Sequence, residues 1–271
     1  MYSAKRIKQK IFLLFKAITP KSIRILLRAF ESKYSILIYL IKTYASVKIL
    51  WLYYSSYYVN KSIKKKYSKE IKSYRARMTD LAISNDWFSD NIPFLLFIFN
   101  KYDYRSKRLK ALEIGSWEGL SSYFILEKLP KCQLTCVDTW QGSDEHKKDF
   151  ILNQVSKNTE NNFDRNTKLF NSRLIKYKGT SFSFYNNNST SEVYDFIYID
   201  GSHFLDDLLI DAIKCFQALK TGGVMIFDDY LWRYYKKPSD NPAAAINTFL
   251  KLKKGQFKII CIYYQVAIIK K

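Results

Sequence analysis

Cysteine is scarce in this chain, at four residues, and histidine is scarcer still, at two. Cys132, Cys136, Cys215 and Cys261 show no zinc-like pairing, and most lie in or beside apolar runs. They read as buried thiols, which suits a reducing cytosol better than an oxidising compartment. Long charge-free apolar runs are also missing. The most apolar stretch, Tyr34 to Val59, is long enough to span a bilayer, but Lys42 and Lys48 interrupt it. Each would cost about 2.5–3.5 kcal/mol near a membrane centre. Its longest charge-free run, Ile49 to Asn60, is twelve residues, short of the roughly 20 that a spanning helix needs. Its tyrosines and Trp51 instead suit a helix lying on a surface or packed against protein. No small-residue cleavage site follows the basic start of the chain, so no cleavable signal peptide is expected.

Acidic residues are the third scarcity, and it is local. Residues 1–80 hold nineteen Lys and Arg against only Glu31, Glu70 and Asp80, a net of +16 out of the chain's +21. The rest of the chain therefore carries +5. This basic region reads as helices. Ile7, Ile11, Leu14 or Phe15, and Ile18 fall on one stripe, and Thr19-Pro20 suits a cap followed by a first-turn proline. Ile23, Leu26, Leu27 and Phe30 make a second stripe. After the segment Tyr34–Val59, a fourth helix is predicted by Ile63, Tyr67, Ile71, Tyr74, Met78 and Leu81, with Lys61, Lys64, Lys65, Lys66, Lys69, Lys72, Arg75 and Arg77 on its other face. A solvated face whose stripe packs on the rest of the chain or on a second subunit is one reading. Attraction to an anionic membrane surface is the other. Nucleic acid is disfavoured, because no RNA-binding signature and no zinc-finger spacing is present. Residues 1–83 are thus expected to form a basic, amphipathic helical appendage that meets a membrane peripherally.

At 271 residues there is room for one α/β domain of about 180–200 residues beside that appendage. Its chemistry-bearing segments are strand ends. Leu112-Glu113-Ile114-Gly115-Ser116-Trp117-Glu118-Gly119 closes an apolar run and opens a helix. Glycines at such a turn let backbone approach closely. A second apolar run, Leu134 to Val137, ends at Asp138. Tyr194 to His203 is a strand ending in Asp200, Gly201, Ser202 and His203; Leu219 to Tyr230 gives a Gly-Gly turn, a strand and the pair Asp228-Asp229. Polar residues at successive strand ends collect at one edge of a sheet, where open α/β sheets bind ligands.

The intervening segments fit that plan. Helices are predicted at Asn91–Tyr104, Leu120–Leu129, Asp144–Ser156, Leu205–Leu219 and Ala243–Lys253, and strands at Leu109–Ile114, Leu134–Val137, Leu174–Lys178, Phe196–Asp200 and Val224–Phe227. Asn153 to Asn171 is polar and asparagine-rich, so an exposed connection is expected there. Phe257–Tyr263 and Gln265–Lys270 are two β-rich runs.

Taken in order, the glycine motif, the acid after the second strand, the sequence Ile197 to His203 and the Gly-Gly element to Tyr230 resemble a class I S-adenosylmethionine (SAM)-dependent methyltransferase. More narrowly they resemble the metal-dependent O-methyltransferases, including the catechol and macrocin O-methyltransferases and the broad methyltransferase domain family. The resemblance covers the chain from about Trp87 onward. It implies an α/β fold, a Rossmann-like doubly wound sheet with a terminal antiparallel hairpin, over residues 84–271.

The resemblance also implies roles. Glu113, Gly115, Ser116 and Gly119 would form the turn against the methionine part of SAM, and Ser121 would donate to its carboxylate at a helix N-terminus. Asp138, followed by Thr139, would accept the ribose hydroxyls. Trp140 is either an apolar wall over adenine or a core aromatic. Gly179, Thr180 and Ser181 match the family's turn near adenine, while Phe182 departs from the acid or amide often found there. Asp200, Asp228 and Asp229 would hold a divalent metal, Mg²⁺ before Mn²⁺ or Ca²⁺; helix caps or salt bridges are the alternative. Asp200 also borders the SAM site. His203 is either the base that removes an acceptor hydroxyl proton or a cap on the next helix. His146 falls in a loop that could border the acceptor pocket.

The function expected is therefore methyl transfer to a hydroxyl of a small molecule or glycan, a glycosyl hydroxyl before a phenolic one. The competing class is a membrane- or nucleic-acid-associated binding protein with a degenerate methyltransferase domain. Nucleic-acid methylation is disfavoured, since no N/D-P-P-Y element and no Pro-Cys nucleophile is present. A dehydrogenase is disfavoured by the acid-rich ends of the fourth and fifth strands. A cytoplasmic protein, peripheral at the membrane and open to homo-oligomerisation, completes the expectation.

Overall fold

Five of the strands predicted here carry their apolar side chains alternately to two faces, and a computed structural model of the protein shows why. It describes residues 21–142, 158–188 and 191–271, with side chains from residue 32 onward. Expectations for residues 1–20, for the helix at 144–156 and for His146 lie outside the described residues. Strands β1 (Leu109–Ile114), β2 (Cys132–Asp138), β3 (Leu174–Lys178), β4 (Tyr194–Ile199) and β5 (Leu219–Phe227) are joined by β6 (Phe257–Ile262) and β7 (Val266–Lys270). The sheet order is β3-β2-β1-β4-β5-β7-β6. β1 to β5 pair in parallel, and β7 runs antiparallel to both β5 and β6. This is the doubly wound sheet with a terminal antiparallel hairpin that the family resemblance implied.

A parallel sheet is buried on both faces, so its strands read as nearly continuous apolar runs. Ala111, Leu134, Cys136, Phe196, Tyr198, Val224 and Ile226 enter one core; Leu112, Ile114, Val137, Ile197, Ile199, Met225 and Phe227 enter the other. All four cysteines are buried and free, as the sequence suggested. Register aligns the strand ends: Ile114 pairs with both Val137 and Ile199, and Ile199 pairs with Phe227. The next residues, Gly115, Asp138, Asp200 and Asp228, therefore emerge at one edge.

The helices are α1 (Lys21–Lys42), α2 (Val47–Ser55), α3 (Tyr57–Lys66), α4 (Ser68–Arg77), α5 (Ile92–Lys101), α6 (Leu120–Lys128), α7 (Thr159–Thr167), α8 (Ser181–Asn187), α9 (Leu205–Ala218) and α10 (Pro242–Leu252). The segment expected as one helix from Tyr34 to Val59 is broken. Tyr44 takes a left-handed φ of +67°, and the Ser46 hydroxyl caps α2 by accepting from Ile49 N at 3.3 Å. The fourth stripe is likewise split at Tyr67 between α3 and α4, yet Ile63, Tyr67, Tyr74 and Met78 are buried as its spacing predicts.

The exposed connection expected at 153–171 is wrong over its second half. Thr159–Thr167 is a helix with Thr159, Phe163, Asn166 and Thr167 buried. Phe163 enters the core, while the buried polar Asn166 is satisfied by hydrogen bonds: Asn166 Nδ2 donates to Ala82 O at 2.9 Å and Glu118 O at 2.8 Å, and its Oδ1 accepts from Ala82 N at 2.8 Å.

Charge changes at residue 83, but packing crosses that point. Tyr74 Oη donates to Leu120 O at 2.7 Å, Asn60 Nδ2 to Ile262 O at 3.1 Å, and Asn247 Nδ2 to Thr43 O at 2.9 Å. Ile63 and Tyr74 join one core cluster, and Leu40, Ile49 and Tyr53 join the other. No helix among the described residues is long and apolar enough to cross a membrane.

Candidate active site

At the carboxyl edge of the sheet, where the order reverses between β1 and β4, lies a cavity of about 1350 Å³. Of the candidate residues, Gly115, Ser116, Ser121, Asp138, Thr139, Gly179, Thr180, Ser181, Asp200, His203, Asp228 and Asp229 line it. Glu113, Gly119 and Trp140 are not among its lining residues.

Each of those three has a structural task instead. Glu113 is fully buried beneath the turn, its Oε2 accepting from Ser116 Oγ at 2.7 Å and from the Ser122 hydroxyl. Burial holds its carboxyl above the ordinary value, against the lowering effect of those hydroxyls. Gly119 has φ +82° ahead of α6, and a Cβ there would sit 3.0 Å from the side chains of Phe163 and Thr167. Trp140 packs on Phe163 with ring centroids 4.9 Å apart and donates from Nε1 to Trp117 O at 2.9 Å. It is the core aromatic of the two readings.

Gly115 is needed for a reason the sequence could not show. Its φ is +84°, and an added Cβ would lie 2.0 Å from the Asp200 carbonyl oxygen. The close approach is between two strand ends, which brings the glycine turn and Asp200 into one wall. Asp138 locks that turn: Oδ2 accepts from Ser116 N and Trp117 N, each at 2.8 Å, and Oδ1 accepts from Trp140 N at 2.7 Å. A carboxylate has about four acceptor positions, so one remains for a ligand hydroxyl.

In the same cavity Asp200, His203 and Asp229 converge, with one ligand atom of each lying within 4.8 Å of the others. His203 Nε2 is 2.9 Å from Asp229 Oδ2 and 3.9 Å from Asp200 Oδ1. Burial pushes Asp200 up to about 7; His203 opposes that shift and Asp229 adds to it. The imidazole is fixed by Trp232, whose ring centroid is 4.5 Å away.

Asp228, the third aspartate of the expected set, lines the same cavity but lies outside this cluster. Its Oδ2 accepts from Tyr198 Oη and from Asn91 Nδ2 at 2.5 Å, while Oδ1 accepts from Asp229 N at 2.8 Å. Burial, with the nearby charges of Asp200 and Asp229, holds its carboxyl well above the ordinary range. It shapes the backbone of Asp229, which has a left-handed φ of +54°.

Several lining residues gave no signal in the sequence. Asn91 opens α5, and Tyr264 sits at the β6–β7 turn, where only a break between two β-rich runs was visible. Tyr264 bonds Asp229 and is raised above the ordinary phenol value by burial. Asp211, on the inner face of α9, is buried and raised to about 7 by desolvation. Trp87, Trp117, Trp232 and Tyr234 add aromatic walls toward the open side.

Residues 112–230 match the model of a family described as a methyltransferase domain. Comparison with curated proteins found no match. Among solved structures, the O-methyltransferase from Bacillus cereus in complex with SAH is 16% identical at a TM-score of 0.44, covering 77% of this chain and 91% of that one. MycE, from the mycinamycin biosynthetic pathway, in complex with Mg and SAH, is 15% identical at 0.48, covering 74% and 54%. A proposed sarcosine dimethylglycine methyltransferase from Galdieria sulphuraria is 18% identical at 0.35, covering 49% and 44%. The chain thus spans about half the length of the latter two proteins, and likenesses this distant carry no functional weight. The family match and the strand-end motifs it encloses agree on one point: residues 112–230 are similar to a methyltransferase domain.

Proposed function

We propose that the protein is a SAM-dependent O-methyltransferase, assisted by a divalent cation, acting on a hydroxyl of a small molecule or glycan. The observation that carries this is the meeting, in one cavity, of the Asp138-locked glycine turn with the Asp200–His203–Asp229 cluster.

The cofactor end fits a nucleoside bearing an amino acid. Asp138 keeps one acceptor position for a ribose hydroxyl, Ser121 stands in the first turn of α6 for a carboxylate, and the turn Gly179–Ser181 borders the cavity nearby. SAM would supply the methyl group there.

The acceptor end fits a hard cation. Two carboxylates crowd together without a Lys or Arg partner among the described ion pairs, and Asp200 is raised as a result of burial beside Asp229. Asp200 and Asp229 would hold the ion, Mg²⁺ before Mn²⁺, and its charge would lower the pKa of an acceptor hydroxyl. Asp228 positions Asp229 through the Asp229 N–H bond rather than acting as a ligand. His203, held against Trp232 and beside Asp229, would take the acceptor's hydroxyl proton. The aromatic walls exclude water and orient an apolar or sugar face.

The test is transfer of labelled methyl from SAM to a panel of glycans and catechols, with and without Mg²⁺. The proposal expects labelled methyl ether in the presence of Mg²⁺ and its loss in excess EDTA. Full turnover in EDTA would remove the cation. SAM binding without transfer to any hydroxyl would favour a degenerate, binding-only domain.

A further inference from the structure

One face of α2 and α3 is turned away from both cores and carries a regular stripe. Val47, Trp51 and Tyr58 are 82%, 66% and 78% exposed, while Ile49, Tyr53 and Ile63 on the opposite side are buried. Ser56 joins the two helices in a helical conformation (φ −80°, ψ 0°), so the stripe runs on from α2 into α3. Lys48, Lys61 and Lys65 are exposed along the same line, at helical spacing from Val47, Trp51 and Tyr58. None of these three lysines has an ion-pair or ring partner among the described residues. Large side chains left in water beside unpaired lysines mark an interaction face.

Charge decides the occupant. No Asp or Glu occurs anywhere from residue 32 to residue 69. A second copy of this face would bring like charge against like. Residues 1–20 carry five Lys and Arg and no acid, so they are equally unsuited to cover it. The interleaving of Trp, Tyr and Val with Lys matches the boundary of an anionic bilayer, where rings and aliphatic groups enter the interface and ammonium groups meet the headgroups. With no helix able to cross a membrane among the described residues, such a helix pair lies in the interface plane. We propose that the α2–α3 face, through Val47, Trp51 and Tyr58 flanked by Lys48, Lys61 and Lys65, docks this protein on an anionic lipid surface.

The full chain should sediment with vesicles of equimolar phosphatidylcholine and phosphatidylglycerol, and poorly with phosphatidylcholine alone. Replacing three exposed apolar side chains by serine (Val47→Ser, Trp51→Ser, Tyr58→Ser) should weaken anionic-vesicle affinity by at least about tenfold. Far-UV circular dichroism of that variant should be unchanged. Lys48→Gln, Lys61→Gln and Lys65→Gln together should weaken it comparably and flatten its dependence on salt. The tryptophan emission that Trp51 contributes, taken as wild type minus Trp51→Phe, should shift to the blue on binding. Equal vesicle affinity in the serine variant, absence of any binding at low salt, or a self-association that the serine variant abolishes would each overturn the proposal. Preference for a single-stranded oligonucleotide over the vesicles would do the same.

Discussion

His203 Nε2 lies 2.9 Å from Asp229 Oδ2 and 3.9 Å from Asp200 Oδ1, so the imidazole closes a ring with two carboxylates from neighbouring strand ends. That position makes His203 either a proton acceptor beside a bound ion or an ion ligand itself. His203→Gln separates the two. As the base, the variant should lose about 10²–10⁴ in turnover while binding Mg²⁺ and S-adenosylhomocysteine (SAH) as before. Loss of Mg²⁺ binding in calorimetry would make it a ligand.

Asp228 and Asp229 are adjacent in sequence but differ in task. Asp229→Asn should abolish Mg²⁺ binding. Asp228→Asn should leave it largely intact, because the buried side chain is held among Tyr198, Asn91 and the Asp229 amide. Equal loss of the ion in both variants would show that Asp228 turns into the cluster when the ion binds.

Asp211 gives a pH signature of stability. Burial raises its carboxyl from 3.8 in the unfolded reference to about 7. The folded protein therefore favours the protonated form, and the stability it lends is present below about pH 4 and lost as pH rises through 7. Asp211→Asn should melt above the wild type at pH 8, by about 2–4 kcal/mol in stability, with the gap closing toward pH 4. Parallel melting curves at both pH values would contradict the assignment.

Gly115→Ala should destabilise the fold by about 1–3 kcal/mol and weaken SAH binding. The added methyl would lie 2.0 Å from the Asp200 carbonyl oxygen on a backbone with φ +84°. Chemical denaturation checks the first effect and calorimetry the second.

Strand ends were readable in the sequence because each couples an apolar run to a polar stop. Ile114-Gly115, Val137-Asp138, Ile199-Asp200 and Phe227-Asp228 sit at one edge once register aligns them. The helix α7 was not readable, because Asn166 is buried through hydrogen bonds to Ala82 and Glu118 rather than through an apolar stripe. That Asp228 bonds partners as distant in sequence as Asn91 and Tyr198 was not readable from spacing. Nor can a fall in charge at residue 83 reveal that Tyr74 reaches across to Leu120. A chain beginning at Ser84 would leave the Leu120 carbonyl and the α5–α6 face uncovered.

The most direct test of the account is calorimetric titration of the full chain with SAH, in parallel with Asp138→Ala. Asp138 accepts from three backbone amides and keeps one acceptor position for the ligand. The account predicts binding in the micromolar range by the wild type and loss of most of it in Asp138→Ala. A folded wild-type protein that does not bind SAH, or an Asp138→Ala variant that binds it unchanged, would contradict the account.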